Sequence, residues 1–120
     1  MSEKTIVCDS MSGGAALLQP GKTLDNDNAH EMVEAITNAQ AGGHKFIIID
    51  MRDLEFISSS GVGSILGSVE VARESGGDVI LCNVSESIQN ILNVLDLMDY
   101  LTVADDREAA QERCGLKKVL

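Results

Sequence analysis

The sequence predicts a single α/β domain: a mixed, mostly parallel β-sheet with an N-terminal antiparallel hairpin, packed by about four helices. Three observations carry that prediction. Continuous apolar runs, Phe46-Ile47-Ile48-Ile49 and Val79-Ile80-Leu81, have the composition of strands covered on both faces. Apolar residues at helical spacing fill the stretches between and after them. Glycine pairs, Gly42-Gly43 and Gly76-Gly77, separate each helical stretch from the strand that follows.

Element by element, two short segments near Thr5–Val7 and Ala15–Gln19 flank Ser12-Gly13-Gly14 and read as a hairpin, ended by Pro20-Gly21. After Leu24-Asp25-Asn26-Asp27, residues Ala29, Met32, Val33 and Ile36 form one helical stripe, and Asn28 with Glu31 resembles a capping box. The Phe46–Ile49 strand leads into a loop over Asp50–Ser60, then a second helix with Val62, Ile65, Leu66 and Val69 on one face. Beyond the Val79–Leu81 strand, Ser85 is placed to cap a third helix carrying Ile88, Ile91, Leu92 and Leu95. A short strand follows at Leu101–Val103. Asp105 and Glu108 then match a second capping box, opening a last helix that ends near Gly115. Right-handed crossovers make the later strands parallel.

Composition narrows the function. The chain has 120 residues and a formal net charge of −10, from 19 acidic and 9 basic side chains. A field of that sign repels phosphate backbones and anionic lipid, so neither direct nucleic-acid binding nor membrane docking is expected, and a basic protein partner is favoured. Three widely spaced cysteines, Cys8, Cys82 and Cys114, fit neither a disulfide framework nor a zinc site, which points to a reducing, cytoplasmic setting. The start, Met1-Ser2-Glu3-Lys4, lacks the features of a signal peptide, and no apolar run is long enough to span a bilayer. A monomer is the default expectation.

The most unusual stretch is Asp53-Leu54-Glu55-Phe56-Ile57-Ser58-Ser59-Ser60-Gly61-Val62-Gly63, where a buried strand's loop enters a helix. That position, outside the carboxyl end of a strand, is where α/β sheets place ligand and partner sites. The bland reading is that one serine caps the helix and the glycines permit close packing. Nucleotide binding is disfavoured: a third Rossmann glycine would fall on Leu66, and no P-loop lysine follows. Hydrolysis is disfavoured too, because no Gly-x-Ser-x-Gly elbow is present and His30 and His44 read as solvated residues. Asp25 and Asp27 read as residues of a helix start rather than metal ligands, so no metal or cofactor is expected.

The order of a strand, Gly21-x-x-Leu24-Asp25, a helix, Phe46–Asp50 and then Phe56-Ile57-Ser58-Ser59-Ser60-Gly61-Val62-Gly63 resembles the STAS domain, and more narrowly the bacterial anti-sigma factor antagonists, over about residues 3 to 113. In that family the loop motif is Asp-Ser-Ser/Thr/Ala-Gly-Leu and its first serine is phosphorylated. The resemblance puts the phosphoacceptor on Ser59, the variable small residue on Ser60 and the motif's leucine on Val62. Ser58 stands where the motif has Asp. The resemblance also implies a partner surface made of Asp25, Ser58, Ser59, Ser60, Gly61 and Val62. The partners it implies are an anti-sigma factor that is also a serine protein kinase, and a serine phosphatase that resets the switch. The chain itself would be a substrate and binder without catalytic activity. Alternatives are a STAS scaffold that is never phosphorylated, in a signalling or lipid-transport complex, and a small phosphate- or nucleotide-binding module.

Overall fold

A computed structural model of the chain describes residues 6–11 and 15–119, with side chains over 15–114. The main sheet has five strands in the order β1-β2-β4-β6-β7. They are β1 (Ile6–Met11), β2 (Ala15–Pro20), β4 (Phe46–Asp50), β6 (Asp78–Cys82) and β7 (Thr102–Ala104). β1 runs antiparallel to β2, and every other neighbour is parallel. The expected mixed sheet with an antiparallel edge is therefore the one observed. The first strand reaches Met11 and is longer than its weak pattern suggests; its pairing runs from Ile6↔Pro20 to Met11↔Ala15. The Ser12-Gly13-Gly14 turn and Thr5 lie outside the described residues.

Four helices cover the sheet: α1 (Ala29–Ala41), α2 (Ser59–Glu74), α3 (Glu86–Val94) and α4 (Arg107–Val119). Alternation along the strands decides which face each one meets. Ala16, Leu18, Ile47, Ile49, Val79 and Leu81 point to one side, against Met32 and Ile36 of α1, Ile65 and Val69 of α2, and Ile88 and Leu92 of α3. Leu17, Ile48, Ile80 and Cys82 point to the other, against Ala110 and Cys114 of α4. Each Val, Leu, Ile and Met among them contributes about 1.5–3 kcal/mol by leaving water. Gly77, ahead of β6, allows its strand to pass the Lys45 carbonyl at a distance where any Cβ would collide with that oxygen.

Several local expectations are corrected. Asn28 stands at the N-cap of α1, yet its side chain makes no capping hydrogen bond. Its amide instead donates to the Thr23 carbonyl and accepts from the Asp25 N–H, both at 2.9 Å, so it braces the preceding loop. Val33 is 42% exposed and Leu95 lies just past the end of α3 at 49%, so neither belongs to the buried stripe assigned to it. The α4 cap is Asp106, whose Oδ1 accepts from the Ala109 N–H at 2.8 Å. Asp105 is engaged otherwise, its carbonyl accepting from the Asn83 N–H. Backbone α4 geometry continues through Gly115 to Val119.

Candidate functional site

The expected loop over Asp50–Ser60 contains structure of its own. β5 (Phe56–Ile57) pairs in parallel with β3 (Thr23–Leu24), with Thr23 opposite Phe56 and Leu24 opposite Ile57, forming a two-stranded ladder apart from the main sheet. Alternation turns Ile57 and Leu24 into the core and leaves Phe56 exposed. The Ser58 N–H donates to the Leu24 carbonyl at 2.9 Å and extends the ladder by one step. This sets Asp25 and Ser58 side by side at the mouth of α2.

Ser58 is the residue that caps α2. Its backbone is extended and its Oγ accepts from the Gly61 N–H at 3.2 Å, while its carbonyl accepts from the Val62 N–H at 2.9 Å. Helix α2 therefore begins at Ser59, inside the stretch expected to be loop. Ser59 and Ser60 are exposed in its first turn, where N–H groups have no intrahelical acceptor. That turn holds no acidic residue, so the positive end of the helix dipole is not offset from within α2. Gly61 is buried against the β3 ladder: a Cβ there would lie 2.5 Å from the Leu24 carbonyl oxygen and 2.9 Å from Ile57 Cγ1. Val62 is buried and anchors the turn in the core.

Asp25 sits half-buried in a loop that its own groups tie down. Its Oδ1 accepts from the Asp27 N–H and its carbonyl from the Ala29 N–H. The six residues Asp25, Ser58, Ser59, Ser60, Gly61 and Val62 thus come from the loop after β3 and the start of α2, which one short ladder joins, with Gly61 and Val62 inside and the others facing outward or partly so. His30 is exposed in the opening turn of α1, and His44 precedes β4 at the opposite, amino edge of the sheet. Among the described residues, no group of three or more His, Cys, Asp or Glu could hold a metal ion, and no helix is long and apolar enough to cross a membrane.

A network that sequence reading did not single out lies beneath the site. Asp50, fully buried at the carboxyl end of β4, accepts from Asn83 Nδ2 and the Arg52 N–H, both at 3.0 Å, and from Arg107 Nε of α4 at 2.6 Å. Arg107 continues to Gln19, and Gln19 to Asp53. Burial pushes the Asp50 carboxyl up, but the hydrogen bonds from Asn83, Arg107 and Arg52, with the Arg107 charge, outweigh it and hold the group below its ordinary 3.8. The same surroundings push the neighbouring Cys82 thiol up to about 12, through burial first and the Asp50 charge second. Asn83 holds its place in the network with φ +54, a conformation for which Asn is among the favoured residues.

Comparison with known proteins matches this chain to the STAS domain model over residues 11–110, most of its length. The chain belongs to the STAS domain family. The anti-sigma F factor antagonist of Paenibacillus polymyxa is 29% identical over 76 residues, which are 63% of this chain and 62% of that protein. The anti-sigma factor antagonist SpoIIAA in its unphosphorylated form superposes with a TM-score of 0.73 at 22% identity, covering 96% of this STAS domain and 99% of that chain. The Bacillus cell fate determinant SpoIIAA in the phosphorylated form gives 0.71 at 23% identity, covering 89% and 97%. At these identities the solved structures speak to the STAS fold alone.

Proposed function

We propose that this STAS domain is an anti-sigma factor antagonist: it binds an anti-sigma factor that is also a serine kinase, and phosphorylation of Ser59 ends that binding. One observation carries the reading. Ser59 is an exposed hydroxyl at the first position of a helix whose cap is already supplied by Ser58 and whose opening turn lacks any acid. The names of the P. polymyxa relative and of SpoIIAA, known in phosphorylated and unphosphorylated forms, support it.

In this reading Ser59 Oγ attacks the γ-phosphorus of ATP held by the kinase, ADP leaves, and the kinase supplies the base that takes the hydroxyl proton. The product carries about −1.5 to −2 further charges. Its own fold tolerates them, because a helix N-terminus favours an anion. A partner surface built to meet the neutral serine does not, because the phosphate must be desolvated there. Asp25, Ser58, Ser60, Gly61 and Val62 shape the surface around the acceptor, and a serine phosphatase resets it by hydrolysis. The protein works as a cytoplasmic monomer, as acceptor and binder rather than catalyst.

Incubation with ATP and the anti-sigma kinase encoded nearest in the genome, followed by intact mass measurement, tests this. Wild type gains one phosphate, Ser59→Ala gains none, and Ser60→Ala still gains one. Ser58 favours a second reading, a STAS scaffold that is never phosphorylated, because the position of the motif's Asp is occupied by a cap hydroxyl. Stable kinase binding by a wild type that acquires no phosphate selects that alternative.

A further inference from the structure

At the far end of the same helical layer, the end of α3 leaves its apolar side chains uncovered. Val94 is 84% exposed, Leu95 49% and Tyr100 40%. Isolated exposed apolar residues are ordinary, but contiguous ones are not. Ile91, Val94 and Leu95 with Asn90 line one shallow apolar groove. Next along the chain, Leu97 and Tyr100 line another with Leu66 and Glu70 of α2.

Charge says what fits there. Glu70 lines the second groove, the exposed Asp96 and Asp99 adjoin its Leu97 and Tyr100, and the one basic residue between 53 and 106 is Arg73. Arg73 is committed internally: Nε donates to Asp78 at 3.0 Å, Nη2 to the Tyr100 carbonyl at 2.8 Å, and the guanidinium lies 4.7 Å from the Tyr100 ring centroid. A bilayer of anionic lipid and a second copy of this chain, itself at −10, would both meet repulsion.

We propose that the α3 end, Ile91 to Tyr100, is a docking surface for an amphipathic helix of a protein partner whose apolar face is flanked by Lys or Arg. Position makes it independent of the serine site. Arg73 fixes Tyr100 beside the last turn of α2, whereas Ser59 is at its first. From Ser59 to Arg73 the helix rises about 21 Å, about twice the screening length of about 8–10 Å at physiological salt, and Leu66 of the second groove lies about 10 Å along it, one such length. A partner anchored at the Tyr100 end therefore stays bound whichever state Ser59 is in.

Titration of the ¹⁵N-labelled full chain with a synthetic amphipathic Leu/Lys helix, beside a Leu/Glu helix of the same apolar face, tests the proposal. Expected are amide shifts confined to α3 and the segment up to Leu101, for the Leu/Lys peptide only. Val94→Ser with Leu95→Ser weakens binding about tenfold, as loss of an apolar anchor does. Asp96→Asn with Asp99→Asn flattens the salt dependence, and Ser59→Asp changes neither. All these positions are exposed, so a retained spectrum shows a retained fold. Absence of α3 shifts, or equal binding of the Leu/Glu peptide, overturns the proposal. So does self-association that Val94→Ser abolishes, which makes a second copy the occupant, or sedimentation with phosphatidylglycerol vesicles that Val94→Ser abolishes, which makes it a membrane.

Discussion

Two helices of this domain begin with the same cap and finish with different chemistry. Ser58 and Ser85 both hold extended backbones, and each Oγ accepts from the third N–H of its helix, at 3.2 and 3.3 Å. After Ser85 come Glu86, which meets the helix dipole with a carboxylate, and Ile88, which is driven into the core. After Ser58 come two exposed hydroxyls and Gly61, which has room for nothing larger. The α3 start is complete in itself. The α2 start is equally well built yet leaves its positive end for an anion from outside, which is what a phosphoacceptor at Ser59 would use.

The sharpest break is at the third helical position. Ile88→Ala opens a cavity and costs about 2–5 kcal/mol, while Gly61→Ala overfills its site against Leu24 and costs about 1–3 kcal/mol, both read by urea unfolding. A neutral Gly61→Ala would remove the close contact on which the position of Ser59 depends. Next in size is Asp50, whose bonds to Asn83 and Arg107 join the strand ends from which both helix starts depart. Asp50→Asn costs about 2 kcal/mol, discounted because the Arg107 side chain is 40% exposed. Because the folded carboxyl titrates below its ordinary 3.8, its contribution is full above that value and is lost as pH falls through the lower folded one. Acid unfolding of wild type should therefore be steeper than that of Asp50→Asn.

Removing either cap, by Ser58→Ala or Ser85→Ala, lowers stability by about 1 kcal/mol, and a large inequality would show that the two caps differ after all. The smallest effect distinguishes them best. Ser59→Asp raises stability by about 0.3–1 kcal/mol at low salt, and Ser87→Asp gains less because Glu86 already faces that dipole. Equal gains would mean that the α2 start holds no special affinity for an anion.

Much of this was legible in the sequence because it rests on short-range patterning. Continuous apolar runs gave β4 and β6, glycine pairs gave the ends of α1 and α2, and Ser85 announced its own cap. The serine run was found for the same reason, as three hydroxyls at a helix start. What escaped reading depends on partners distant in sequence. β5 is two residues long and exists because Thr23 and Leu24 lie beside it, not because Phe56-Ile57 has a period. Asn28 looked like a cap because its neighbours have capping spacing, but its side chain is taken by Thr23 and Asp25. Asp50 pairs with Arg107, 57 positions away, and no local pattern joins them. Asp105 has the capping-box spacing to Glu108, yet the helix starts one residue later and Asp106 supplies the cap.

The ladder between Thr23–Leu24 and Phe56–Ile57 also dictates how this surface can be retargeted. Its two strands hold the Asp25 loop and the serine loop in one register, with Lys22 accepting from the Glu55 and Phe56 N–H groups just ahead of it. Substitution at Ser58, Ser59 or Ser60 redraws the outward chemistry without disturbing that alignment. A residue inserted on either side slips the ladder, turns Ile57 outward and carries the Ser59 hydroxyl off the helix mouth. Libraries seeking new specificity here should vary composition and leave loop length alone.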